Sequence, residues 1–298
     1  MNEINMPAAP EQKPEAPKYY ARHHLLLVPL IAFGLMTVGQ LLGELATGGI
    51  QLAFGPFDAG VSFLMMYLTF LGIDLIMILY CLLAERPIFR SFGLASRGGG
   101  KGNTWGMFGL GLLIGFGMNG FCVLVAWLHG DIDLSMGRFE AFYLLCALAS
   151  VCVQSAAEEI VTRGYMIGAL RERYPTWVAI VINSVFFGVL HLSNPGVTAL
   201  SIAQIVLIGL LLSLIVYYQG SLWMCIAIHT AWNFTQNFLF GLPNSGIVAQ
   251  RSFFHLEGAT SSLFYDAGFG IEGSITGVIV ILLVMIPVVL IGRRKKVA

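Results

Sequence analysis

Three short groups of polar residues lie inside apolar stretches of this chain, and their residue types could together hydrolyse an amide bond. The residues are Glu158, Glu159 and Arg163 in the first group, Phe187 and His191 in the second, and His229 and Asn233 in the third. A carboxylate beside an imidazole, both away from bulk water, can activate a water molecule as a general base. A second imidazole and an amide can stabilise the negative charge that develops on a carbonyl oxygen. These groups need no serine or cysteine nucleophile.

The spacing within the first two groups suits an α-helix. Glu159 and Arg163 are four residues apart and can pair along one face, while Glu158 points about 100° away from Glu159. Phe187 and His191 are also four residues apart, so the aromatic ring can shield the imidazole one turn away. We therefore expect Glu158 to face the chemistry, with Glu159, Arg163 and Phe187 in supporting positions.

The elements that must position these residues are membrane-spanning helices. Of the 298 residues, 57% are hydrophobic and only 11% are charged, and the mean hydropathy is +0.81. An ordinary soluble domain carries about 25% charged residues, so a soluble enzyme is excluded. The 16 basic and 16 acidic residues cancel, so no net basicity indicates a nucleic-acid partner. The five cysteines lie in apolar stretches and are interpreted as small buried hydrophobic residues.

The sequence predicts an all-α membrane protein with eight transmembrane helices. Residues 1–23 contain four prolines and are expected to be a disordered cytoplasmic tail, followed by a membrane domain over 24–298. Each later apolar stretch has about the length that a helix needs to cross the hydrocarbon core. The predicted spans are 25–45, 61–84, 104–128, 139–172, 176–192, 198–218, 222–240 and 272–292.

The basic residues predict that both termini are cytoplasmic, because arginine and lysine are enriched in cytoplasmic segments. In an eight-span arrangement, Arg138 and Arg251 fall on the outer side. All the other basic residues fall on the inner side, namely Lys13, Lys18, Arg22, Arg86, Arg90, Arg97, Lys101, Arg163, Arg171, Arg173, Arg293, Arg294, Lys295 and Lys296. An odd number of spans would separate the two terminal groups of positive charge.

Depth in the membrane decides whether the polar residues can meet. At about 1.5 Å per residue, Glu158 lies roughly 18 Å and His191 roughly 21 Å from the predicted cytoplasmic ends of their spans. His229 and Asn233 lie roughly 10 and 17 Å from that side by the same rise. The four side chains thus fall within about two helical turns of one another.

These residues, in this order on three hydrophobic helices, resemble the family of CAAX proteases and bacteriocin-processing proteins, abbreviated CPBP and also called the Abi family. The eukaryotic type II CAAX prenyl endopeptidase belongs to it. The matching core runs over residues 139–240. Glu158-Glu159-x-x-x-Arg163 is followed by Gly164 and Tyr165, as is common in the family, and no motif position is missing.

The resemblance implies an eight-helix fold with a cavity that opens toward the cytoplasm. It also implies that Glu158 and His191 activate the water while His229 and Asn233 form the oxyanion site, with Glu159 and Arg163 in support. The implied substrate is a peptide or protein, prenylated or bacteriocin-like, in contact with membrane lipid.

Metal dependence is the open question of mechanism at this stage. Glu158, His191 and His229 could bind zinc with water in the fourth position. The chain lacks the His-Glu-x-x-His helix that would make a zinc site specific. We therefore favour a mechanism without a cofactor and keep zinc as the alternative.

A non-enzymatic function is the second hypothesis. Buried carboxylates and imidazoles also build proton relays, so a proton-coupled carrier is one alternative and a binding or immunity factor is the other. Asp74 lies mid-span outside the motifs and is interpreted as a neutral, paired carboxyl. The outer connection 241–270 has no assigned role. The short chain without an endoplasmic-reticulum retention signal favours a bacterial plasma membrane.

Overall fold

The structure is a computed structural model that describes residues 21–91 and 102–297, and within them the chain is mostly helical. The α-helices are α1 (Leu27–Phe54), α2 (Ala59–Leu68), α3 (Leu71–Ala84), α4 (Arg86–Ser91), α5 (Trp105–His129), α6 (Ala141–Glu159), α7 (Ile167–Arg171), α8 (Thr176–Val189), α9 (Ala199–Gln219), α10 (Leu222–Phe234) and α11 (Ile275–Val297). The strands are β1 (Ile132–Met136) and β2 (Phe254–Ala259). Two π-helical turns, Ile160–Met166 and Thr235–Leu239, follow α6 and α10 directly.

Six helices of the described part are long and apolar enough to cross a membrane, which makes the chain an integral membrane protein. They are Leu27–Phe54, Ala59–Ala84, Trp105–His129, Ala141–Arg171, Ala199–Gln219 and Ile275–Arg293. Each of the eight predicted spans contains helix, but α8 has 14 residues and α10 has 13. The count of eight spans therefore stays a prediction.

The predicted continuous spans differ from the structure in three places. The second span is broken at Thr69 and Phe70 into α2 and α3. The fourth span changes from α-helix to π-helix after Glu159, so that Arg163 lies in the π-helical turn, and the seventh changes after Phe234. The fifth ends at Val189, so His191 lies in the turn beyond α8 rather than within it. A π-helical turn inserts a residue, which hydrophobic periodicity does not reveal.

Local capping explains where several of these helices begin and end. The Thr198 hydroxyl accepts from the backbone N–H of Ser201, whose own hydroxyl accepts from the backbone N–H of Thr198, so a reciprocal cap starts α9. Ser221 caps α10 by accepting from the N–H of Met224. Between them, Gly220 ends α9 with φ of 63°, a left-handed conformation that glycine adopts without strain. The short turn 219–221 thus makes α9 and α10 antiparallel neighbours.

Glycines allow the backbones of two pairs of helices, α5–α10 and α1–α3, to pack closely. A Cβ added at Gly115 of α5 would lie 2.5 Å from the carbonyl oxygen of Ile228 in α10. A Cβ at Gly72 of α3 would lie 2.1 Å from the carbonyl oxygen of Gly39 in α1. Small residues allow this packing of transmembrane helices. The α5–α10 contact holds α10, which carries the third motif, against the bundle.

The bundle has two distinct ends. At the end that we call the terminal end, α1 begins and α11 finishes, and the N–H of Leu25 donates to the Tyr174 hydroxyl. The opposite end, the sheet end, carries β1 and β2, which pair antiparallel with an irregularity between Asp133 and Leu134. This small two-stranded sheet is added to a fold that is mostly helical, as predicted. It links the connection after α5 to the long connection before α11.

The described basic residues largely follow this division. Arg138 and Arg251 belong to the sheet end, whereas Arg22, Arg86, Arg171, Arg173 and Arg293 belong to the terminal end. Arg163 was counted with the inner residues, and that assignment is wrong because its side chain is fully buried against Glu159. Lys13, Lys18, Arg97 and Lys101 lie outside the described residues. Which end faces the cytoplasm stays a prediction.

The last three residues of the predicted disordered tail 1–23 are ordered in the structure. Residues 1–20 lie outside the described part, but Ala21–His23 form a 3-10 turn. The imidazole of His23 lies 3.0 Å from the buried carboxylate of Glu85, and Arg22 donates both to that carboxylate and to the carbonyl of Ala84. A buried carboxylate requires such partners, and this orders residues 21–23.

Candidate active site

The paired glutamates lie at the junction between α6 and its π-helical turn, and their side chains have different surroundings. Glu159 is fully buried and its Oε1 accepts a hydrogen bond of 3.0 Å from Nη1 of Arg163. The guanidinium carbon of Arg163 lies 4.4 Å from the centre of the Phe187 ring, within cation–π range. Glu158 instead borders the central cavity. The predicted division between a reactive Glu158 and a paired Glu159 thus matches the geometry.

His229 of α10 contacts both glutamates. Its Nδ1 lies 3.0 Å from Oε1 of Glu159, and its Nε2 lies 3.7 Å from Oε2 of Glu158. Because an ionised carboxylate only accepts hydrogen bonds, Nδ1 carries the proton toward Glu159. This contact was not foreseen, since the sequence placed His229 with Asn233, opposite the first glutamate. His229 therefore connects the buried ion pair to the cavity.

His191 is held at the end of α8 by its own helix. Its Nδ1 lies 2.8 Å from the carbonyl oxygen of Phe187, so this nitrogen carries the proton and Nε2 is left as an acceptor. The Phe187 ring lies 4.9 Å from the His191 ring and 6.0 Å from the His229 ring, centre to centre. Phe187 thus separates the two imidazoles and covers Arg163, which extends its predicted shielding role.

Asn233 belongs to a run of side-chain amides. Its Nδ2 donates to Oε1 of Gln154 over 3.1 Å, and its Oδ1 accepts from Nδ2 of Asn244 over 3.1 Å. Gln154, one turn before Glu158 on α6, donates to Oε1 of that glutamate over 2.6 Å. One of the two Nδ2 hydrogens of Asn233 is therefore used, which leaves the second available to a bound group.

A single cavity of about 420 Å³ brings the predicted site residues together. Glu158, His191, His229 and Asn233 all line it, although they come from three segments of the chain. Apolar side chains line the rest, including Met36, Met66, Phe70, Ile205, Ile208 and Ile281. A volume of this size lies in the range of ligand-binding clefts, about 300–1,000 Å³.

Several polar residues of the cavity were not predicted from the sequence, and four of them lie near the motif residues or the connection before α11. They are Gln154, Asn194, Asn244 and Glu272. Gln154 could have been found, because it precedes Glu158 by four residues on the same helix. Asn194, Asn244 and Glu272 lie in connections between helices, where no helical spacing points to them.

The long outer connection contributes to the cavity, whereas Asp74 does not. Asn244, Ser245 and Ile247, all from the connection 241–270, line the cavity at the sheet end. Asp74 lies at the start of α3 with 8% of its surface exposed and is not among the lining residues. Its Oδ1 has no hydrogen-bond partner among the described residues, so the predicted pairing with a neighbouring helix is not seen there.

The residues proposed for zinc do not form a metal site. No three His, Cys, Asp or Glu side chains in residues 21–91 and 102–297 are grouped so that they could hold a metal ion. Both ring nitrogens of His229 face carboxylates, and Nδ1 of His191 is bound to a carbonyl. The Nδ1 bonds leave Nε2 of His191 without a hydrogen bond among the described residues, so the metal-free mechanism stays a prediction and zinc its alternative.

The comparisons with known proteins agree with the motif order. Residues 140–235 match the family model described as Type II CAAX prenyl endopeptidase Rce1-like. Neither a curated protein nor a solved structure matches the chain. The matched segment contains all seven motif residues, and the family indicates a CAAX-type peptidase that acts within the membrane on a peptide or protein. Residues 140–235 are thus similar to the CAAX protease family that the three motifs resemble.

Proposed function

We propose that this protein is an intramembrane endopeptidase in which Glu158 activates a water molecule to hydrolyse a peptide bond. The observation that carries the proposal is the cavity that Glu158 shares with two imidazoles and one amide. Oε1 of Glu158 accepts from Gln154, whereas Oε2 has no hydrogen-bond partner among the described residues. A water in the cavity can donate one hydrogen to Oε2 and its second to Nε2 of His191.

The reaction then follows from these positions. Glu158 takes a proton from the water molecule while the water oxygen bonds to the carbonyl carbon of the substrate. The carbonyl oxygen then becomes negative. Asn233 donates its remaining N–H to that oxygen, and a ring proton on Nε2 of His229 would be a second donor. The C–N bond then breaks, and Glu158 returns the proton to the departing amine. Atoms and charge balance without a covalent intermediate on the protein.

We propose that Glu159 and Arg163 act by holding His229. The Arg163 guanidinium and the His229 imidazole share Oε1 of Glu159, so the ring is fixed through one nitrogen. Its other nitrogen is then directed to the cavity. This arrangement gives both supporting residues a role without contact to the substrate.

The apolar part of the cavity supports a hydrophobic peptide or protein substrate. Methionine, phenylalanine and isoleucine side chains extend from the polar residues toward α1, α2 and α9. A prenylated or bacteriocin-like peptide carries apolar groups that fit such a lining. We propose this substrate class and, from the sequence, the bacterial plasma membrane as the location.

The experiment is cleavage of a defined peptide library by the full chain purified in detergent, with product detection by mass spectrometry. We expect cleavage by the wild-type protein and a loss of about 10²–10⁴-fold for Glu158→Gln, the range for removing a general base. Glu257→Gln makes the same change on β2, outside the cavity, and serves as the control. Equal cleavage by the wild type and Glu158→Gln would reject the proposal.

A further inference from the structure

A buried carboxylate lies on the other side of the amide run from Glu158. Glu272 is in the 3-10 turn Ile271–Gly273 that precedes α11, and only 6% of its surface is exposed. It lines the same cavity as Glu158. It lies outside the segment that matches the family model, which ends at residue 235. Neither the motifs nor the proposed reaction gives it a role.

Four N–H donors surround the Glu272 carboxylate. Oε1 accepts from Nε1 of Trp232 over 2.7 Å and from Nδ2 of Asn244 over 3.1 Å. Oε2 accepts from Nε2 of Gln236 over 2.7 Å and from the backbone N–H of Ser245 over 3.3 Å. Both oxygens therefore act as acceptors, which is the hydrogen-bonding pattern of an ionised carboxylate.

This carboxylate determines which way the Asn244 amide faces. The two hydrogens of Nδ2 go to Oε1 of Glu272 and to Oδ1 of Asn233, each over 3.1 Å. If the amide rotated by half a turn, its oxygen would face the carboxylate and the Asn233 oxygen, both of which are acceptors. Glu272 therefore fixes the donor end of Asn244 toward Asn233.

The orientation continues from Asn233 to the proposed general base. Since Asn244 donates to the Asn233 oxygen, the Asn233 nitrogen faces Gln154 and donates to its Oε1. The Gln154 nitrogen in turn donates to Oε1 of Glu158. Each amide in this run can satisfy its neighbours in one orientation only, and Glu272 and Glu158 are the acceptors at its two ends.

We propose that Glu272 is a positioning residue for the oxyanion site, acting through Asn244 on the amide of Asn233. The proposal rests on the function proposed above, in which the Asn233 N–H stabilises the oxyanion. Without an acceptor-only group at position 272, Asn244 loses one of the two acceptors that hold its donor end toward Asn233, and the Asn233 amide is oriented from the Glu158 end alone. An Asn233 oxygen turned toward the cavity would repel the developing negative charge.

Glu272→Gln tests this step with almost no change in shape, because its amide nitrogen replaces one oxygen and sets a donor against two of the four N–H groups. We expect kcat to fall about 10–100-fold and KM to change less than about twofold. This loss is smaller than the roughly 10²–10³-fold fall in kcat that follows removal of an oxyanion donor itself. In the Asn233→Ala background the same change should have no further effect on kcat. Additive losses would indicate a general structural role and would overturn the proposal. Glu257→Gln is the matched control.

A second readout does not depend on catalysis. In protein labelled with ¹⁵N-asparagine, the side-chain resonances of Asn233 and Asn244 can be assigned from their alanine variants. We expect Glu272→Gln to shift both resonances, and an unchanged Asn233 resonance would overturn the proposal. If the wild type cleaves no peptide, the proposed function fails, while this spectrum still decides the positioning.

Asn244→Leu provides a second variant should Glu272→Gln fail to fold. It interrupts the run and leaves Trp232, Gln236 and Ser245 to satisfy Glu272. We expect the same fall in kcat and the same lack of additivity with Asn233→Ala. If the kcat of Asn244→Leu equalled that of the wild type, the proposal would be overturned.

Discussion

Nδ1 of His229 lies 3.0 Å from Oε1 of Glu159, the same oxygen that accepts the Arg163 guanidinium. One carboxylate oxygen thus ties a cavity-lining imidazole to a fully buried cation. This contact joins α10 to the end of α6, beside Glu158. It separates the two adjacent glutamates by role, since Glu159 holds the imidazole and Glu158 faces the cavity.

Removing the Arg163 charge should destabilise the protein strongly. The Arg163 and Glu159 side chains are both fully buried, so Arg163→Met leaves an unpaired carboxylate. Breaking one partner of a buried ion pair costs about 3–5 kcal/mol. Thermal unfolding in detergent measures the loss. The double variant Arg163→Met with Glu159→Gln removes both charges and should recover most of the stability. If the double variant were as unstable as the single one, the ion pair would not explain the effect.

Glu159→Gln alone should reduce kcat less than Glu158→Gln does. Its amide can still accept from His229 but binds the Arg163 guanidinium more weakly, so we expect a loss of about 10-fold, well below the 10²–10⁴-fold for the general base. Steady-state cleavage assays of the two variants check the order. The reverse order would exchange the roles assigned to the two glutamates.

Asn233→Ala should lower kcat by about 10²–10³-fold, the cost of one oxyanion-hole donor, and leave KM nearly unchanged. The reason is that the Asn233 N–H is needed by the oxyanion rather than by the bound substrate. Separate measurement of kcat and KM is the test. A rise in KM at constant kcat would show that Asn233 binds substrate instead.

The close approach of α5 and α10 should make Gly115 intolerant of a side chain. A Cβ at this position would lie 2.5 Å from the Ile228 carbonyl oxygen, so Gly115→Ala must force the helices apart. We expect reduced thermal stability and reduced cleavage. Gly117→Ala on the same helix is the control, because a Cβ there has no atom within 4 Å. Equal stability of the two variants would show that the contact is not tight.

Zinc removal should leave cleavage unchanged, because the proposed reaction needs only Glu158, the two imidazoles and the Asn233 amide. Metal analysis of the purified protein, together with activity after dialysis against a chelator, provides the measurement. Stoichiometric zinc that is lost in parallel with activity would contradict the metal-free mechanism.

The sequence predicted the convergence of the motif residues but not the contacts among them. Helix rise alone placed Glu158, His191, His229 and Asn233 at similar depth, because a straight apolar helix has a fixed length per residue. The His229–Glu159 contact depends on how α6 and α10 are rotated relative to each other. A π-helical turn follows each of these helices, and hydrophobic periodicity cannot reveal such turns.

The sheet end was the part least accessible to prediction. Asn244 and Glu272 both line the cavity and bond to each other, although 28 residues separate them in sequence. Tyr265, in the connection to which the sequence assigned no role, is fully buried. Long-range packing of this kind leaves no local spacing signal.

The most direct test of the account is cleavage of a peptide library in H₂¹⁸O by the wild-type protein and by Glu158→Gln. The account predicts that each new carboxyl terminus made by the wild type carries one ¹⁸O atom from the attacking water. It also predicts that Glu158→Gln makes these products at least about 10²-fold more slowly. Wild-type protein that yields no cleaved peptide, or a Glu158→Gln variant that matches the wild-type rate, would contradict it.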